Sequence, residues 1–310
     1  MTVTGGAPAT GERTRSPSAA LLADLAVRAL RQEACLSPKP GLADGRGRGA
    51  HDDMGLPLLL ASARTLRPTF RAVAEAAERA AAGARFLPEP AGAGLREELG
   101  RLGRAGEAAM LRATRGVNTH RGALWTLGLL VAATAAGAAD EREAAVRAAR
   151  LAALPDRRLP AGPPSHGELA RRRYGVPGAR GEAEAAFPHV VEVALPRLCR
   201  ARAAGAPAEV ARLDALLAVM SLLDDTCVLH RGGPEGLRVV RAGAGRVLAE
   251  GGAGTARGRA ALAELDGRCA ARRLSPGGSA DLLAAALFLD MVPWPEPGAR
   301  AGRKVFTCRR

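Results

Sequence analysis

Residues 213–233, LDALLAVMSLLDDTCVLHRGG, are the stretch that decides the fold. Their leucines recur at three- and four-residue spacing, which predicts an α-helix with one apolar, buried face. Asp224 lies on or beside that face, where an ionised carboxylate is costly unless it binds a cation or accepts strong hydrogen bonds. Asp225 is its neighbour, and His230 and Arg231 follow shortly after. The stretch therefore predicts either a polar site at a helix end or a solvated end capped by glycine, and the residues alone leave both open.

Almost every other periodic segment of the chain has helical spacing too. Helices are predicted at 19–36, 56–66, 72–85, 95–111, 123–136, 141–154, 182–198, 237–248, 255–273 and 280–291, besides the one that contains Leu213. Alternating strand patterns and repeats of fixed period are absent from the sequence. The sequence thus predicts an all-α protein, with a single multi-helix bundle at 19–292, a disordered leader at 1–18 and a loose tail at 293–310.

The composition limits the class of protein. A chain of 310 residues is long enough to bury a full hydrophobic core. It contains no run of about eighteen apolar residues, so no transmembrane helix is predicted, and its polar first residues hold no apolar signal sequence. The five cysteines are scattered and form no CxxC pair. This pattern favours a reducing, cytoplasmic location.

The net charge of +14 raises the question of a nucleic-acid partner. Only Lys39 and Lys304 are lysines, and the remaining 43 of the 45 basic residues are arginines spread along the chain. This skew, with abundant Ala, Gly and Pro, is typical of GC-rich coding sequences. Aromatic residues make up 3% of the chain, which leaves few platforms for stacking bases. We therefore expect no nucleic-acid partner, and anionic small molecules such as nucleotides suit the charge equally well.

Turns punctuated by glycine and proline open onto several of the predicted helices. They lie at 37–54, 116–122, 174–181 and 274–279. In the last turn, Gly277 and Gly278 let a ligand approach the backbone, and Ser279 can cap the following helix. Free N–H groups at a helix N-terminus favour a phosphate. The other interpretation is an ordinary helix start, in which Asp281 complements the helix dipole.

The turn at 116–122 places Asn118, Thr119, His120 and Arg121 at the start of an apolar helix. Polar side chains at that position suit a ligand. They suit an ordinary helix cap equally well, with His120 satisfied by the backbone. This turn alone does not decide between the two.

Several carboxylates could carry chemistry. Asp44, Asp53, Asp224 and Asp225 offer the oxygen ligands that Mg²⁺ prefers, and Mg²⁺ usually retains phosphates and water in its shell. Zinc is less favoured, because no His/Cys set has ligand spacing. Glu182 lies two residues from a second glutamate, so only one of the two would line a pocket. No hydrolase elbow, P-loop or Rossmann motif occurs. The residues predict a helical, metal-assisted enzyme that acts on a phosphorylated ligand.

Six short motifs occur in order along the chain. They are SPKPGL at 37–42, AHDDM at 50–54, GVNTHRGAL at 116–124, GARGEAEAAFP at 178–188, DDTCVLHRGG at 224–233 and SPGGSADLLA at 275–284. Each is weak alone, but the series is specific. Over roughly residues 20–291, the chain resembles the triphosphoribosyl-dephospho-coenzyme A synthase family, whose members serve citrate lyase or malonate decarboxylase.

The resemblance implies a glycosyl transfer in which ATP is the ribosyl donor. Adenine leaves C1 of the ribose, and the 2′-hydroxyl of 3′-dephospho-coenzyme A takes its place. A separate holo-acyl-carrier-protein transferase then attaches the product to the acyl-carrier subunit of malonate decarboxylase or citrate lyase, and the composition favours malonate decarboxylase. Mg²⁺ is the expected metal. The sequence leaves the oligomeric state open.

The resemblance also matches the groups that this reaction needs to residues of the chain. Cleavage builds positive charge on the ribose, which calls for a nearby carboxylate, and adenine and the hydroxyl call for an acid and a base. The expected catalytic residues are Glu182, Asp224 and His120, and Mg²⁺ is expected on Asp53 and Asp225. The expected substrate and phosphate contacts are Lys39, Asn118, Thr119, Arg121, Arg180, Arg231, Ser275, Gly277, Gly278 and Ser279.

Two other functions stay open at this point. A Mg²⁺-dependent nucleotide or ADP-ribose glycohydrolase would use the same groups but let water attack, so it would release free ribose triphosphate. A non-catalytic helical module for nucleic acid would bind DNA with a steep salt dependence and would turn over no ATP.

Overall fold

The computed structural model describes residues 17–82, 91–160 and 162–295, and most of them are helical. The helices are α1 (Ala19–Ala34), α2 (Leu56–Thr65), α3 (Arg67–Ala81), α4 (Ala91–Ala113), α5 (Arg121–Ala135), α6 (Glu141–Ala153), α7 (His166–Tyr174), α8 (Gly178–Glu184), α9 (Leu195–Ala203), α10 (Ala208–Leu222), α11 (Thr226–Ala249), α12 (Ala256–Ala271) and α13 (Gly277–Met291), with a π-helical segment, His189–Ala194, between α8 and α9. In this part of the chain no strand forms, and Asp44 and Gly47 make only an isolated bridge. The all-α prediction is confirmed.

The predicted leader and tail fall mostly outside the described residues, at 1–16 and 296–310. Where the tail is described, Trp294 Nε1 donates a hydrogen bond to the Leu289 carbonyl oxygen at 3.0 Å. The sequence predicts a Pro/Gly loop at 86–94, between two of the helices. Residues 86–90 of it lie outside the described residues, and residues 91–94 form the first turn of α4.

Side-chain caps fix where several helices begin. The Ser18 hydroxyl accepts a hydrogen bond from the N–H of Leu21 at 3.3 Å, and Asp140 accepts one from the N–H of Glu143 at 2.7 Å. Such caps satisfy backbone donors that have no partner inside the helix. The two helices that they start, α1 and α6, begin where the sequence predicted.

Helix α7 occupies a stretch for which the sequence predicted none. It begins after Ser165, whose hydroxyl accepts from the N–H of Glu168 at 3.2 Å, and it ends at Gly175 in the left-handed conformation with φ 69°. Only Ala170 of this helix is buried, so it carries no apolar stripe that a periodicity search could find. The polar turn predicted at 174–181 is in fact shorter, because its second half already belongs to α8.

The sequence predicts a helix at 182–198 that Pro188 and Pro196 shorten or kink, and in the structure this helix is broken. Helix α8 ends at Glu184, and Ala186 and Phe187 then adopt φ values of 62° and 53°. Such values are unfavourable for residues other than glycine. Because Phe187 is completely buried, its packing holds the backbone in this conformation, and Pro188 follows directly before the π-helical segment. A buried anchor therefore interrupts a stretch that has helical periodicity.

Helices α5 and α13 form the centre of the core, and most residues of both are buried. Helices α1, α3, α4 and α6 pack around α5, while α1, α10 and the π-helical segment pack around α13. Many of the buried side chains are alanines, including Ala132, Ala133 and Ala285, so the helices approach one another closely. None of the helices described combines the length and the apolar composition that spanning a membrane requires.

A buried carboxylate ties the turn between α11 and α12 to α10. Asp214, 6% exposed, accepts hydrogen bonds from the N–H of Ala253 at 2.8 Å and from Arg197 Nη2 at 2.9 Å. Gly252 beside it has φ 80°, and a Cβ at that position would overlap the Asp214 carboxylate. Since a buried carboxylate persists only when its oxygens are hydrogen-bonded, this contact fixes the path of the turn.

Replacing Asp214 with alanine is expected to lower the free energy of unfolding by about 1–3 kcal/mol, because the buried N–H of Ala253 loses its acceptor. Urea unfolding followed by circular dichroism measures the change. Glu209→Ala, at an exposed position of the same helix, is the control and should stay within about 0.5 kcal/mol of the native protein. Equal effects of the two substitutions would contradict this role for Asp214.

Candidate functional site

The buried carboxylate of Asp225 joins the N-termini of α11 and α13. It is 2% exposed. On its own helix it accepts hydrogen bonds from the N–H groups of Cys227 at 2.9 Å and Val228 at 3.4 Å. From α13 it accepts bonds from the N–H of Ser279 at 2.8 Å, the Ser279 hydroxyl at 2.9 Å and the N–H of Gly278 at 3.4 Å. Burial raises the pKa of Asp225, and these hydrogen bonds oppose that rise.

A second carboxylate brings the N-terminus of α5 to the same place. Asp281, in the second turn of α13, lies against Gly122, where a Cβ would overlap its carboxylate. The N–H of Ala123 stabilises its ionised form, but burial and the nearby charges of Glu33 and Asp225 raise its pKa well above the ordinary value. The N-termini of α5, α11 and α13 therefore converge. We call this group of helix ends and carboxylates the buried junction.

Lys39 lies inside the protein beside the buried junction. It is 1% exposed, and its Nζ donates to Glu33 Oε1 at 2.6 Å and to the Glu33 carbonyl oxygen at 2.9 Å. Its backbone N–H donates to Asp44 Oδ2 at 2.9 Å. An ammonium this deeply buried needs such an ion pair. These bonds hold the loop between α1 and α2 onto α1, and they occupy Lys39 with a protein partner.

His120 is buried at the start of α5, with 4% exposure. Its Nδ1 lies 2.8 Å from the Ser62 hydroxyl, which in turn receives a hydrogen bond from the Thr119 hydroxyl at 2.7 Å. Its Nε2 has no partner among the described residues. Burial and the charge of Lys39 lower the pKa of His120 to about 4, so the imidazole is neutral at pH 7. His120 can therefore form hydrogen bonds as a neutral ring, but at pH 7 it carries no extra proton to donate as an acid.

A partly exposed rim lies around His51, in which Arg231 and Asp53 are exposed and Ser275 is buried. The Nε2 of His51 is 2.8 Å from the Ser275 hydroxyl, and its Nδ1 is 3.2 Å from Arg231 Nη2. Arg231 Nη1 also donates to the Ala50 carbonyl oxygen at 3.2 Å. Burial and Arg231 lower the pKa of His51, whereas the negative charge of the exposed Asp53 acts in the opposite direction. This rim brings together three of the predicted residues: Arg231, Ser275 and Asp53.

Glu182 and Asp224 meet around a histidine that the sequence analysis did not single out. Glu182, 7% exposed, accepts hydrogen bonds from the N–H of His189 at 3.0 Å and from its Nδ1 at 2.8 Å. Asp224 is paired with Arg241 at 2.8 Å and is half-buried. The hydrogen bond that His189 donates to Glu182 raises the pKa of His189, and the charge of Asp224 acts in the same direction. We call these four side chains the acid–base group.

Other predicted residues stand apart or have protein partners. Arg180 pairs with Glu184 one turn along α8, and both are exposed. Arg121 pairs with Glu107 of α4, and its N–H donates to the Asn118 side chain at 3.2 Å. Gly277 lies against Cys227, whose Sγ would be 3.1 Å from a Cβ at that glycine. The structure does not join these residues to the acid–base group.

The predicted phosphate donors of the SPGGS turn are used inside the protein. The N–H of Gly278 and both donors of Ser279 point to Asp225, so they already have an acceptor. The sequence correctly showed donors at a helix N-terminus. It could not show that a carboxylate from the start of another helix would occupy them.

The predicted Mg²⁺ ligands do not form a cage. Across 17–82, 91–160 and 162–295, no three side chains of His, Cys, Asp or Glu are arranged to hold a metal ion. Both oxygens of Asp225 accept hydrogen bonds, while Asp53 is exposed. Mg²⁺ often takes most of its ligands from substrate phosphates and water. The arrangement therefore fits a metal that arrives with a triphosphate better than one held by the protein.

The residues of the site that the sequence analysis did not assign to it include Glu33, His51, His189, Arg241 and Asp281. Glu33 was detectable as a charge on the buried face of α1. Asp281 was interpreted only as a complement to the helix dipole, because its contact with Gly122 joins segments far apart in the chain. His189 follows Glu182 by seven residues, but the helix break between them hides the pairing.

Comparison with known proteins identifies close relatives. The chain matches the family described as ATP:dephospho-CoA triphosphoribosyl transferase over residues 19–298. It is 56% identical to a protein of Azotobacter vinelandii over 284 residues, which cover 90% of this chain and 94% of the relative. It is 57% identical to a protein of Pseudomonas putida over 272 residues, covering 87% and 93%. Both relatives are named probable 2-(5''-triphosphoribosyl)-3'-dephosphocoenzyme-A synthase. No solved structure matches the chain significantly.

Replacing Asp225 with alanine is expected to destabilise the protein more than the loss of an ordinary helix cap. A cap contributes about 1 kcal/mol, and Asp225 serves two helices, so we expect a loss of about 2 kcal/mol or more. Asp140→Ala, which removes the cap of α6 alone, is the matched control and should cost about 1 kcal/mol. Denaturant unfolding measures the loss of unfolding free energy in both variants. Equal losses would show that Asp225 stabilises the protein no more than an ordinary cap of one helix does.

The histidines are expected to titrate very differently. His189 should titrate above the ordinary value of about 6.5, because Glu182 stabilises its charged form, and Glu182→Gln should lower its pKa. His120 should stay neutral down to about pH 4. NMR spectra of the imidazole protons measure both, and His51 serves as the internal control, because it should not respond to Glu182→Gln. An unchanged His189 pKa in that variant would break the assignment.

Proposed function

Because the chain belongs to the ATP:dephospho-CoA triphosphoribosyl transferase family, we propose that its acid–base group carries out the transfer beside the buried junction. The enzyme moves the 5-triphosphoribosyl group of ATP to the 2′-hydroxyl of 3′-dephospho-coenzyme A and releases adenine. The observation that best supports this proposal is the position of Asp224 and Asp225. They are neighbours in sequence, yet Asp225 binds the helix ends together while Asp224 stands with His189 at the accessible side.

His189 is the proton donor to adenine in this proposal. The bond between ribose C1 and the adenine nitrogen breaks, its electron pair stays with adenine, and a proton from the imidazolium neutralises the leaving group. Glu182 is buried and accepts a hydrogen bond from Nδ1, so it orients the ring and raises the pKa of His189, which favours the charged form. The remaining ring nitrogen, Nε2, is the atom that would meet the substrate.

Asp224 is the proposed carboxylate next to the ribose. Positive charge develops on the sugar as adenine departs, and a carboxylate stabilises it. The incoming 2′-hydroxyl forms the new bond to C1 and gives up its proton, which Asp224 can accept. Arg241, paired with Asp224 at 2.8 Å, holds this carboxylate in position.

The triphosphate is assigned to the rim around His51. Arg231 offers a guanidinium, which suits phosphate oxygens, and Ser275 offers a hydroxyl. Mg²⁺ bound to the triphosphate would neutralise part of its charge, and Asp53 is the exposed carboxylate of this rim that could contact it. Asp225, with hydrogen bonds to both oxygens, is assigned to holding the helix ends. His120 is assigned a neutral hydrogen bond from Nε2.

The product would feed a further enzyme. It keeps a triphosphate, so a hydroxyl of a carrier protein can attack the α-phosphorus, form a phosphodiester to the prosthetic group and release diphosphate. A transferase that acts on the acyl-carrier subunit of malonate decarboxylase or citrate lyase is the proposed next step, and the cytoplasm is the proposed location. The remaining contacts expected from the sequence, Lys39, Asn118, Thr119, Arg121, Arg180 and Gly277, stay predictions.

The decisive experiment follows adenine release by chromatography from purified protein, ATP, Mg²⁺ and 3′-dephospho-coenzyme A. Adenine should appear only with the acceptor present. His189→Gln and Asp224→Asn should each lower kcat by about 10²–10⁴-fold. As the pH is raised, Glu182→Gln should lose activity at a lower pH than the native enzyme does. The reason is that the lowered pKa of His189 lets the ring lose its proton earlier.

Glu184→Gln, which removes an exposed carboxylate from the same helix as Glu182, is the control and should keep full activity. Adenine without acceptor would indicate the glycohydrolase instead. ADP or AMP as product would overturn the glycosyl-transfer mechanism. Full activity of His189→Gln and Asp224→Asn would remove those residues from the roles assigned here.

A further inference from the structure

A cavity of about 220 Å³ lies between α4 and α5, outside the acid–base group and the rim. On α5 it is lined by Arg121, Leu124, Trp125 and Gly128. These residues recur at three- and four-residue intervals, so they form one stripe along the helix. The stripe runs about 10 Å from the N-terminus of α5, which is the end that meets the buried junction. The cavity therefore extends away from the site along one of the helices that build it.

Two residues that line this cavity each carry a buried donor with no hydrogen-bond partner in the described part of the chain. The two donors are Arg96 Nε and Trp125 Nε1. Arg96 is 8% exposed, and its guanidinium carbon lies 5.2 Å from the centre of the Trp125 ring. Both atoms can only donate. A buried donor without a partner costs free energy, so these two call for a ligand that brings acceptors.

The charged groups of the cavity are already paired. Asp156 binds Arg104 at 2.6 Å and Arg96 Nη1 at 3.8 Å, and Glu107 binds Arg121. The parts of the lining that have no partner are the two buried N–H donors and the apolar walls, which include leucines of α4 and α5. This combination suits an uncharged, largely apolar chain that carries carbonyl oxygens. A free phosphate or a carboxylate fits it less well.

Two glycines keep the cavity open. Gly103 of α4 and Gly128 of α5 line it, and a Cβ at either would meet no atom within 4 Å. Glycine inside a helix is less stable than alanine, and here no neighbouring group requires its small size. Packing inside the protein therefore does not explain why these two positions are glycine.

We propose that this cavity holds the pantetheine arm of 3′-dephospho-coenzyme A. The arm is an uncharged chain with two amide carbonyls, which can accept hydrogen bonds from Arg96 Nε and Trp125 Nε1. It would leave the site at Arg121, the first residue of α5. This inference rests on the proposed function, and it adds that the enzyme recognises the coenzyme A part of its acceptor as well as the reacting ribose.

The test fills the cavity without touching the site. Gly128→Leu should raise the KM for 3′-dephospho-coenzyme A by about tenfold or more, while the KM for ATP and the melting temperature stay near native values. Gly267→Leu is the matched control. It lies on an exposed face of α12, where a Cβ also meets no atom within 4 Å, and it should leave both KM values unchanged.

A binding measurement separates this inference from the proposed function. With Trp294 replaced by phenylalanine, Trp125 is the single tryptophan. Its fluorescence should change on adding 3′-dephospho-coenzyme A or free pantetheine, and not on adding ADP, which lacks the arm. Gly128→Leu should abolish the change. No change with either ligand, or an unaltered KM in Gly128→Leu, overturns the inference. If adenine is never released but the fluorescence responds as expected, the cavity stands and the proposed reaction fails.

Discussion

The site depends on the hydrogen bonds that Asp225 accepts from two helices at once. Helices α11 and α13 bring their positive N-terminal ends together, and these ends would repel each other without a negative group between them. Asp225 supplies that group and accepts from Cys227 and Ser279 on opposite sides. Its burial is costly, and the number of donors around it offsets the cost. Removing it would loosen the relation between the acid–base group and the α13 turn.

The charged side chains divide into those that build the site and those that are open to a substrate. Glu33, Lys39 and Asp281 are inside or against a helix end, and each has a protein partner. Asp224 and Arg231 stand at the surface of the same region. The buried set brings together helix ends from distant parts of the chain. In the mechanism proposed above, the accessible set contacts the reacting atoms, because such groups can reach a ribose or a phosphate.

Periodicity predicted most helices, since a helix with one buried face has apolar residues at three- and four-residue spacing. It failed for α7, which is held by its Ser165 cap and Gly175 end and buries almost nothing. At 182–198 the prolines indicate an interruption, but periodicity does not show that packing holds Phe187 in an unfavourable backbone conformation. The motifs located the turns of the site. They could not tell which turns meet, so Asp225 was expected on a metal and His189 was overlooked. The cavity beside Trp125 lies between two helices and leaves no mark in either one.

The alanine-rich core of α5 and α13 has a consequence for how this protein can change over time. A side chain as small as that of Ala285 has little volume to lose, so truncation creates almost no void. Enlargement is different, because interiors are packed to the density of organic crystals and an added methyl group must displace a helix. The packing at positions such as Ala132 and Ala285 thus sets an upper limit on side-chain volume and almost no lower limit. During evolution, such a core tolerates substitutions to smaller residues far better than substitutions to larger ones.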